Sequence, residues 1–316
     1  MTAFPSGEGE WLRCQFHAHT VNSDGTATPA ELCDHYAAVG FDVLAITDHW
    51  HVTDHARDGL VVMPSSELSC HAANPSGEAE ALAIGVPELP DPKEPFAGIE
   101  ELAAWITEHG GAPFVCHPYW SGLTPEELGA APSLVGIEIW NAGCEIQQGN
   151  GLSTALWDAL LHAGRPLFGL ANDDSHEPGK DSRIGWTWVL AAERSREGVV
   201  DALRRGAFYG SAGPRLLGIE IGPVAIEVQC SPARSVRLCS GPWDGCGVNA
   251  DDAWGDWRGE PLTRDASGQL TAVRFEYPEY WRWARVEVED DRGRRAWGNA
   301  FQLEGEPPAA TEFPVY

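Results

Sequence analysis

Short apolar runs alternate with helical patterns along the first two thirds of the chain. The segment from Thr28 begins like a helix, with a capping residue, a proline and an acidic first turn, and Gly40 ends the pattern. The apolar run 41–46 follows directly. The same order of helix, glycine and strand recurs over 99–116 and 153–170. This alternation predicts βαβ units and a parallel sheet.

Beyond Pro214 the pattern changes to short segments in which apolar and polar residues alternate. Segments 216–221 and 283–289 are examples, and Gly, Pro and Asp separate such segments from their neighbours. A period of two with turns of this kind is typical of antiparallel strands and hairpins. We therefore predict two domains, an α/β domain over 1–214 and a small antiparallel β-sandwich over 215–316.

Composition and charge limit the classes of partner. The 316 residues carry a formal net charge of −26, and the 21 basic residues are scattered apart from the short run 292–295. A nucleic-acid groove needs clustered Lys and Arg, so we expect no nucleic-acid polymer as partner. No run approaches the ~18 apolar residues of a membrane span, and residues 1–10 lack the features of a signal peptide. The eight cysteines show no CxxC spacing. We therefore expect a cytoplasmic protein with no membrane partner.

The most informative polar residues stand where apolar runs end. His17 and His19 share one face of an extended segment, because successive strand residues point to opposite faces. Asp48 precedes His49 and points away from it, which predicts a supporting role. Functional residues collect at the carboxyl ends of strands in barrels of alternating strands and helices. Each residue alone could be an ordinary buried polar group, but together they predict a metal centre. The candidate ligands are His17, His19, Asp24, His49, Glu67, His117, Asp174 and His176.

The order of these motifs resembles the polymerase and histidinol phosphatase (PHP) family. The similarity extends from about Trp11 to Pro214, and the segment 205–214 before a β-rich tail is similar to a branch that includes carbaryl-hydrolase-like enzymes. The resemblance implies a distorted seven-stranded β/α barrel that holds up to three metal ions. The motifs are HxH at 17–19, SDG at 23–25, ITDH at 46–49, the lone Glu67, CHP at 116–118 and DxH at 174–176.

The resemblance also implies how the ligands divide among two or three divalent ions. Imidazole and carboxylate ligands suit Mn, Zn or Fe. Family members often have a further His or Cys near 137–140, where this chain has Asn141 with Cys144 nearby, so the second site is short of a strong ligand. The implied sets are His17, His19, Glu67 and Asp174 for one ion, Glu67 and His117 for a second, and Asp24, His49 and His176 for a third.

Two ions about 3.5–4 Å apart would bind a nucleophilic hydroxide and the oxygen on which charge develops. Bound water is then acidic enough to ionise near pH ~7, and no side-chain nucleophile is required. The chain also lacks a GxSxG nucleophile elbow. We predict a metal-dependent hydrolase. The leading hypothesis is a phosphoesterase that cleaves a small phosphomonoester or phosphodiester with metal-bound hydroxide. Lys180, Arg183 and Tyr119 are the candidate substrate-binding residues.

Two alternatives stay open at this point. The resemblance of segment 206–214 to the carbaryl-hydrolase-like branch implies, as one alternative, a hydrolase of carboxylic or carbamate esters or amides that uses the same hydroxide. A non-catalytic binding protein with a relic site is a third reading, against which the nearly complete ligand set argues. The exact substrate, the metal and the oligomeric state are left open by the sequence, and a small, phosphorylated molecule is the expected partner.

Overall fold

The computed structural model describes residues 4–5, 8–241, 244–251 and 258–303. It divides into two compact units, Gly7–Ala212 and a second one made of Met1–Ser6 with Gly213–Tyr316. Residues 304–316 of the predicted β-rich domain lie outside the described residues. No helix of the described part is long and apolar enough to cross a membrane.

The Gly7–Ala212 unit contains ten strands and seven helices. The predicted helix after Thr28 is confirmed: the Thr28 hydroxyl accepts from the Glu31 amide, and the Glu31 carboxylate accepts from the Thr28 amide. The strands are β1 (Glu10–Gln15), β2 (Val43–Ile46), β3 (Val61–Pro64), β4 (Glu67–His71), β5 (Glu78–Ile84), β6 (Ala112–Val115), β7 (Gly136–Asn141), β8 (Phe168–Asn172), β9 (Trp186–Ala191) and β10 (Phe208–Ser211). The helices are α1 (Pro29–Ala38), α2 (Ile99–Glu108), α3 (Pro118–Ser121), α4 (Pro125–Gly129), α5 (Ala142–Gln148), α6 (Thr154–His162) and α7 (Arg196–Arg204).

The strands of this unit pair in two orders, β10-β9-β1-β2-β3 and β4-β5-β6-β7-β8. The triplets β1-β2-β3 and β6-β7-β8 are parallel. Antiparallel pairs join β4 to β5, β5 to β6, β9 to β1 and β10 to β9. The prediction of a parallel sheet is therefore right for these two triplets only. The loop from β4 to β5 is too short for a parallel crossover, which needs a dozen or more residues. No sheet of the described residues closes on itself, so the seven-stranded barrel is not confirmed.

Backbone contacts join these two sets of strands at the ends that carry the polar motifs. The Asp174 amide donates to the His17 carbonyl (3.0 Å), and the His19 amide donates to the Ser175 carbonyl (2.9 Å). His49 pairs with Glu67 in an isolated parallel bridge. The residues that follow β1, β2 and β8 are thereby brought next to the start of β4.

One apolar cluster anchors the same strands. Leu12, Val43, Leu82, Phe114 and Phe208 come from five different strands, and all are fully buried within it. Burying one such side chain contributes roughly 1.5–3 kcal/mol. The strand ends that carry the polar residues are therefore fixed by a shared core.

The second unit consists of antiparallel strands where it is described. The strands are β11 (Leu216–Ile221), β12 (Ala225–Ala233), β13 (Ser235–Cys239), β14 (Gly245–Asn249), β15 (Gly259–Arg264), β16 (Leu270–Glu276), β17 (Trp283–Glu289), β18 (Arg295–Gly298) and β19 (Phe301–Gln302). One sheet has the order β11-β12-β16-β15, and the strands β14-β13-β17-β18 pair in a second order, with β19 against β17. The predicted segments 216–221 and 283–289 coincide with strands.

Candidate metal centre

Four donor atoms converge beyond the end of β1. His17 Nε2 lies 3.1 Å from Glu67 Oε2 and 3.2 Å from Asp174 Oδ1. His19 Nε2 lies 3.3 Å and 3.2 Å from the same two oxygens. The two imidazoles alternate with Ala18, so both point to one side of the extended backbone. We call these four residues the buried end of the cluster.

The buried end has the donor spacing and the unpaired atoms that a divalent ion requires. His19 Nε2 and Asp174 Oδ1 are buried and have no hydrogen-bond partner. Buried polar atoms are normally paired, because leaving one unpaired costs roughly 1–3 kcal/mol. A tetrahedral ion with ligand distances of about 2.0–2.1 Å holds its ligand atoms about 3.3 Å apart. The residues present therefore fit a divalent metal ion.

Hydrogen bonds to the outer ring nitrogens fix the orientation of the histidines. His17 Nδ1 lies 2.9 Å from Glu138 Oε1, and His117 Nδ1 lies 3.1 Å from Ser121 Oγ. A backbone carbonyl lies 3.1 Å from His176 Nδ1. When Nδ1–H donates to such a partner, the lone pair of the neutral ring is on Nε2. In these three residues Nε2 is the nitrogen that faces the cluster.

Glu67 occupies the middle of the cluster. It is the first residue of β4 and is only 1% exposed. While Oε2 contacts the buried end, Oε1 lies 3.2 Å from His117 Nε2. The Cys116 sulfur belongs to the same group, with donor atoms of His17, Glu67 and His117 within 4.8 Å of one another. Glu67 is therefore placed to share its two oxygens between two ions.

The opposite side of the cluster is open to solvent. Asp24 Oδ2 lies 3.3 Å from His176 Nε2 and 3.7 Å from His49 Nε2. The Asp24 side chain is 54% exposed and that of His49 is 34% exposed. The His19 ring stacks between the rings of His49 and His176, with centroids 4.8 and 4.3 Å away. We call Asp24, His49 and His176 the exposed end. All eight predicted ligands are thus brought together, and their ligand role stays a prediction.

Glu80 is a cluster residue that the sequence analysis missed. Its Oε1 lies 3.5 Å from His49 Nδ1, and its Oε2 lies 3.8 Å from His117 Nε2. Glu80 pairs with Ser69 across the β4–β5 hairpin, and Glu67 lies two residues before Ser69 on β4. The side chains of Glu80 and Glu67 therefore lie on the same face of the hairpin. In the sequence it is one of two alternating glutamates on a strand, which is the ordinary pattern of a solvated face.

Glu138 is a second missed residue. It is fully buried on β7, and its carboxylate accepts from the His117 amide (2.9 Å), Asn141 Nδ2 (3.0 Å) and Asn172 Nδ2 (2.8 Å) as well as from His17. A glutamate inside an apolar strand was a signal that could have been noticed. Asn141 stands where the family resemblance implies a further ligand. Its Nδ2 donates to the carboxylates of Glu138 and Asp174 (3.1 Å to the latter).

The charges of the cluster shift its pKa values strongly. Burial alone would lower the pKa of His19, but the adjacent carboxylates of Asp174 and Glu67 raise it to about 10. The pKa values of His17 and His117 are raised in the same way by neighbouring carboxylates. Burial would raise the pKa of Glu67, yet the surrounding histidines hold it well below its usual value. In the metal-free protein, protons on histidine therefore balance the carboxylates.

Asp48 supports the loop that leads to the exposed end. Its buried carboxylate accepts from the Thr20 amide (2.6 Å), the Thr20 hydroxyl (2.7 Å), Ser23 Oγ (2.9 Å) and Thr53 Oγ1 (2.7 Å). These four donors occupy both oxygens. The carboxylate thus fixes the turn in front of Asp24.

The predicted substrate-binding residues have different surroundings. Lys180 is exposed and forms an ion pair with Glu177. The Arg183 amide donates to Asp173, and the charge of its guanidinium acts on His35. Tyr119 is exposed on α3, two residues after His117. The substrate role of Lys180, Arg183 and Tyr119 stays a prediction.

The chain is similar to solved structures. A two-domain protein from Bacteroides vulgatus, described as containing a predicted PHP-like metal-dependent phosphoesterase, is 16% identical and matches with a TM-score of 0.52 over 95% of this chain and 97% of its own. An amidohydrolase from Chromobacterium violaceum with bound sulfate and no metal is 19% identical, with a TM-score of 0.41 over 53% of this chain and 89% of its own. A proposed metal-dependent phosphoesterase from Bifidobacterium adolescentis is 19% identical, with a TM-score of 0.41 over 56% and 90%.

No protein-family model and no curated protein matches the chain. The resemblance to PHP-like proteins is confirmed by the first of these structures at the level of the fold. A shared fold does not by itself assign a reaction. The reaction has to be argued from the cluster.

Proposed function

We propose that this protein is a metal-dependent hydrolase and, specifically, a phosphoesterase acting on a small phosphomonoester or phosphodiester. The observation that carries the proposal is the convergence of histidine and carboxylate donors around His19 Nε2 and Asp174 Oδ1, which are buried and unpaired. The shared fold with a protein described as PHP-like supports the choice of phosphoryl chemistry.

The division of ligands follows the contacts. The buried end would hold one ion, Glu67 Oε1 and His117 would serve a second, and the exposed end would hold a third. The mixed imidazole and carboxylate donors suit Mn, Zn or Fe. Divalent ions in such a site acidify a bound water and stabilise charge that develops on the substrate.

The protein's own residues position donors and exclude competing nucleophiles. Glu138 holds the ring of His17 through Nδ1, so that its Nε2 stays directed at the cluster. Cys116 is not a candidate nucleophile, because burial and the nearby Glu67 raise the pKa of its thiol well above the ordinary value. The hydroxyl of Ser121 is engaged with His117. These contacts support a reaction in which water is the nucleophile.

Substrate charge has to be met by the ions. The cluster itself contains several carboxylates, and Lys180 is already paired with Glu177. A phosphate group would therefore be attracted mainly by the bound ions, and its binding should depend strongly on metal. We expect inorganic phosphate to inhibit the metal-loaded protein and to bind far more weakly after chelation.

A hydrolase of carboxylic or carbamate esters or amides is the second candidate. One observation favours it: Trp120 is exposed beside the cluster, and its ring centroid lies 5.0 Å from that of His117. Such an aromatic surface suits the aryl or apolar leaving group of an ester or carbamate.

The two candidates are separated by a substrate screen. Protein loaded with Mn, Zn or Fe is assayed with p-nitrophenyl phosphate, bis(p-nitrophenyl) phosphate and p-nitrophenyl acetate, before and after chelation. Metal-dependent release from the phosphates, abolished in Asp174→Asn, is the expected result. Turnover of the acetate alone, with both phosphates inert, would contradict the phosphoesterase proposal. Inactivity with full metal content would support a binding role.

A further inference from the structure

Glu80 faces the cluster in the same manner as Glu67. Each carboxylate spans the same two histidines: Glu67 Oε1 and Oε2 lie 3.2 Å from His117 Nε2 and 3.5 Å from His49 Nδ1. The corresponding distances for Glu80 Oε2 and Oε1 are 3.8 and 3.5 Å. Two imidazole nitrogens and two carboxylates thus enclose one position between β4 and β5.

We propose that Glu80 is a metal ligand that completes the second ion site with Glu67 and His117, an inference that rests on the proposed metal-dependent function. Two carboxylates and an imidazole are a donor set that Mn, Fe and Zn accept. His49 has only one lone pair in its neutral form, so with Nε2 directed at Asp24 its Nδ1–H can donate a hydrogen bond to Glu80.

Other side chains near this position are engaged elsewhere. The Asn141 amide donates to Glu138 and Asp174, and its Oδ1 accepts from the Cys144 amide. Glu80 is therefore the additional oxygen donor that the second site can recruit without rearranging β7.

The surroundings of Glu80 differ from those of an ordinary surface glutamate. Its side chain is 26% exposed, and in the described part of the chain its ion pairs are with His49 and His117 alone. On the same face of the hairpin it has a carboxylate neighbour in Glu67, which is buried. Two carboxylates held side by side repel each other unless a cation lies between them.

The proposal separates the effect of Glu80 from that of the buried end. Loss of the Glu80 carboxylate should weaken one ion site and leave His17, His19 and Asp174 with their donors intact. Glu78 provides a matched control, because it lies on the same strand and the same face but at the exposed end of the hairpin.

The test measures metal content and metal-induced stabilisation of the full chain. Wild type, Glu80→Gln, Glu80→Ala and Glu78→Gln are loaded with Mn or Zn, dialysed together and analysed by mass spectrometry for metal, and their melting temperatures are recorded with and without metal. Both Glu80 variants should lose about one equivalent of ion per chain, or bind it at least about 10-fold more weakly. Their metal-free melting temperatures should equal or exceed that of wild type, and the rise on adding metal should be smaller.

The outcomes divide cleanly. Equal stoichiometry and affinity in wild type and both Glu80 variants would overturn the ligand role of Glu80 while leaving the proposed function intact. Loss of every ion from both variants would also overturn it, because a ligand of one site leaves the buried end able to bind. A wild-type protein that binds no ion after loading would overturn this inference together with the proposed function.

Discussion

The two ends of the histidine cluster use the same residue types in opposite environments. At the buried end, His17, His19 and Glu67 are almost completely inaccessible to solvent. At the exposed end, Asp24 and His49 are 54% and 34% exposed. Water solvates the exposed donors when no ion is bound, whereas the buried donors have only one another and protons. Metal should therefore matter far more to the buried end.

Energetic considerations point in the same direction. A buried polar atom without a hydrogen-bond partner destabilises the fold. His19 Nε2 and Asp174 Oδ1 are two such atoms. An exposed carboxylate such as Asp24 carries little penalty. We therefore expect burial, and not the type of ligand alone, to decide how tightly each proposed site holds an ion.

Replacing the shared carboxylate should have the largest effect. Glu67→Gln removes a charge that contacts both His17 and His117, and we expect a loss in activity of about 10²- to 10³-fold, since breaking a buried pair costs roughly 3–5 kcal/mol. Asp48→Asn, one residue from a ligand but bonded only to loop donors, should lower the activity less. Metal analysis and turnover of both variants provide the comparison. Wild-type metal content and rate in both would refute the assignment.

A matched pair of aspartates compares the ends directly. Asp174→Asn should weaken metal binding at the buried end by at least about 100-fold, because it leaves buried imidazoles without their counter-charge. Asp24→Asn should cost about 10-fold and affect one ion only. Competition titration with a chromophoric chelator measures both. If Asp24→Asn released more ions than Asp174→Asn, the ranking of the two ends by burial would be wrong.

Glu138→Gln tests whether positioning contributes at the buried end. The four groups that donate to Glu138 include an amide and two asparagine side chains, so an added NH₂ group would meet donors and not acceptors. We expect metal affinity to fall by about 10- to 100-fold. Glu145→Gln is a control at a carboxylate on the neighbouring helix. Unchanged affinity with an unchanged melting temperature would show that His17 needs no such support.

The sequence predicted the elements well where one residue pattern determines one local structure. The capping residues around Thr28 and the strands 216–221 and 283–289 depend on neighbours in the chain, and their predicted and observed positions agree. The HxH spacing also predicts that two imidazoles share a face. All eight predicted ligands lie in one cluster for the same reason: each follows a strand end, and those ends meet.

Glu80 and Glu138 were missed because their roles depend on pairing between distant strands. Glu80 comes close to His49 only through the antiparallel register that places it opposite Ser69. For residues 1–214 the sequence pattern predicts a parallel sheet, and a parallel arrangement contains no such hairpin. Glu138 needed a different inference, namely that a charged residue in an apolar strand must have buried partners.

The smallest predicted effect is a pH dependence of metal binding at the buried end. The pKa of His19 is raised to about 10, so its ring carries a proton at neutral pH in the metal-free protein, and the pKa values of His17 and His117 are shifted in the same direction. A metal ion needs neutral imidazole, so binding must release protons, and affinity should rise by up to about tenfold per pH unit for each proton released. For folding without metal the sign is opposite: this protonation stabilises the fold fully below about pH 6.5, and the stabilisation is lost as the pH approaches 10.

Calorimetric titration of metal in buffers of different ionisation enthalpy, at pH 6 to 8, counts the protons. When metal binds at the buried end, the Asp24→Asn variant should release the same number of protons as the wild type. Heats that do not depend on the buffer, with an affinity that does not change with pH, would show that the buried histidines are already neutral and that burial does not distinguish the two ends in this way.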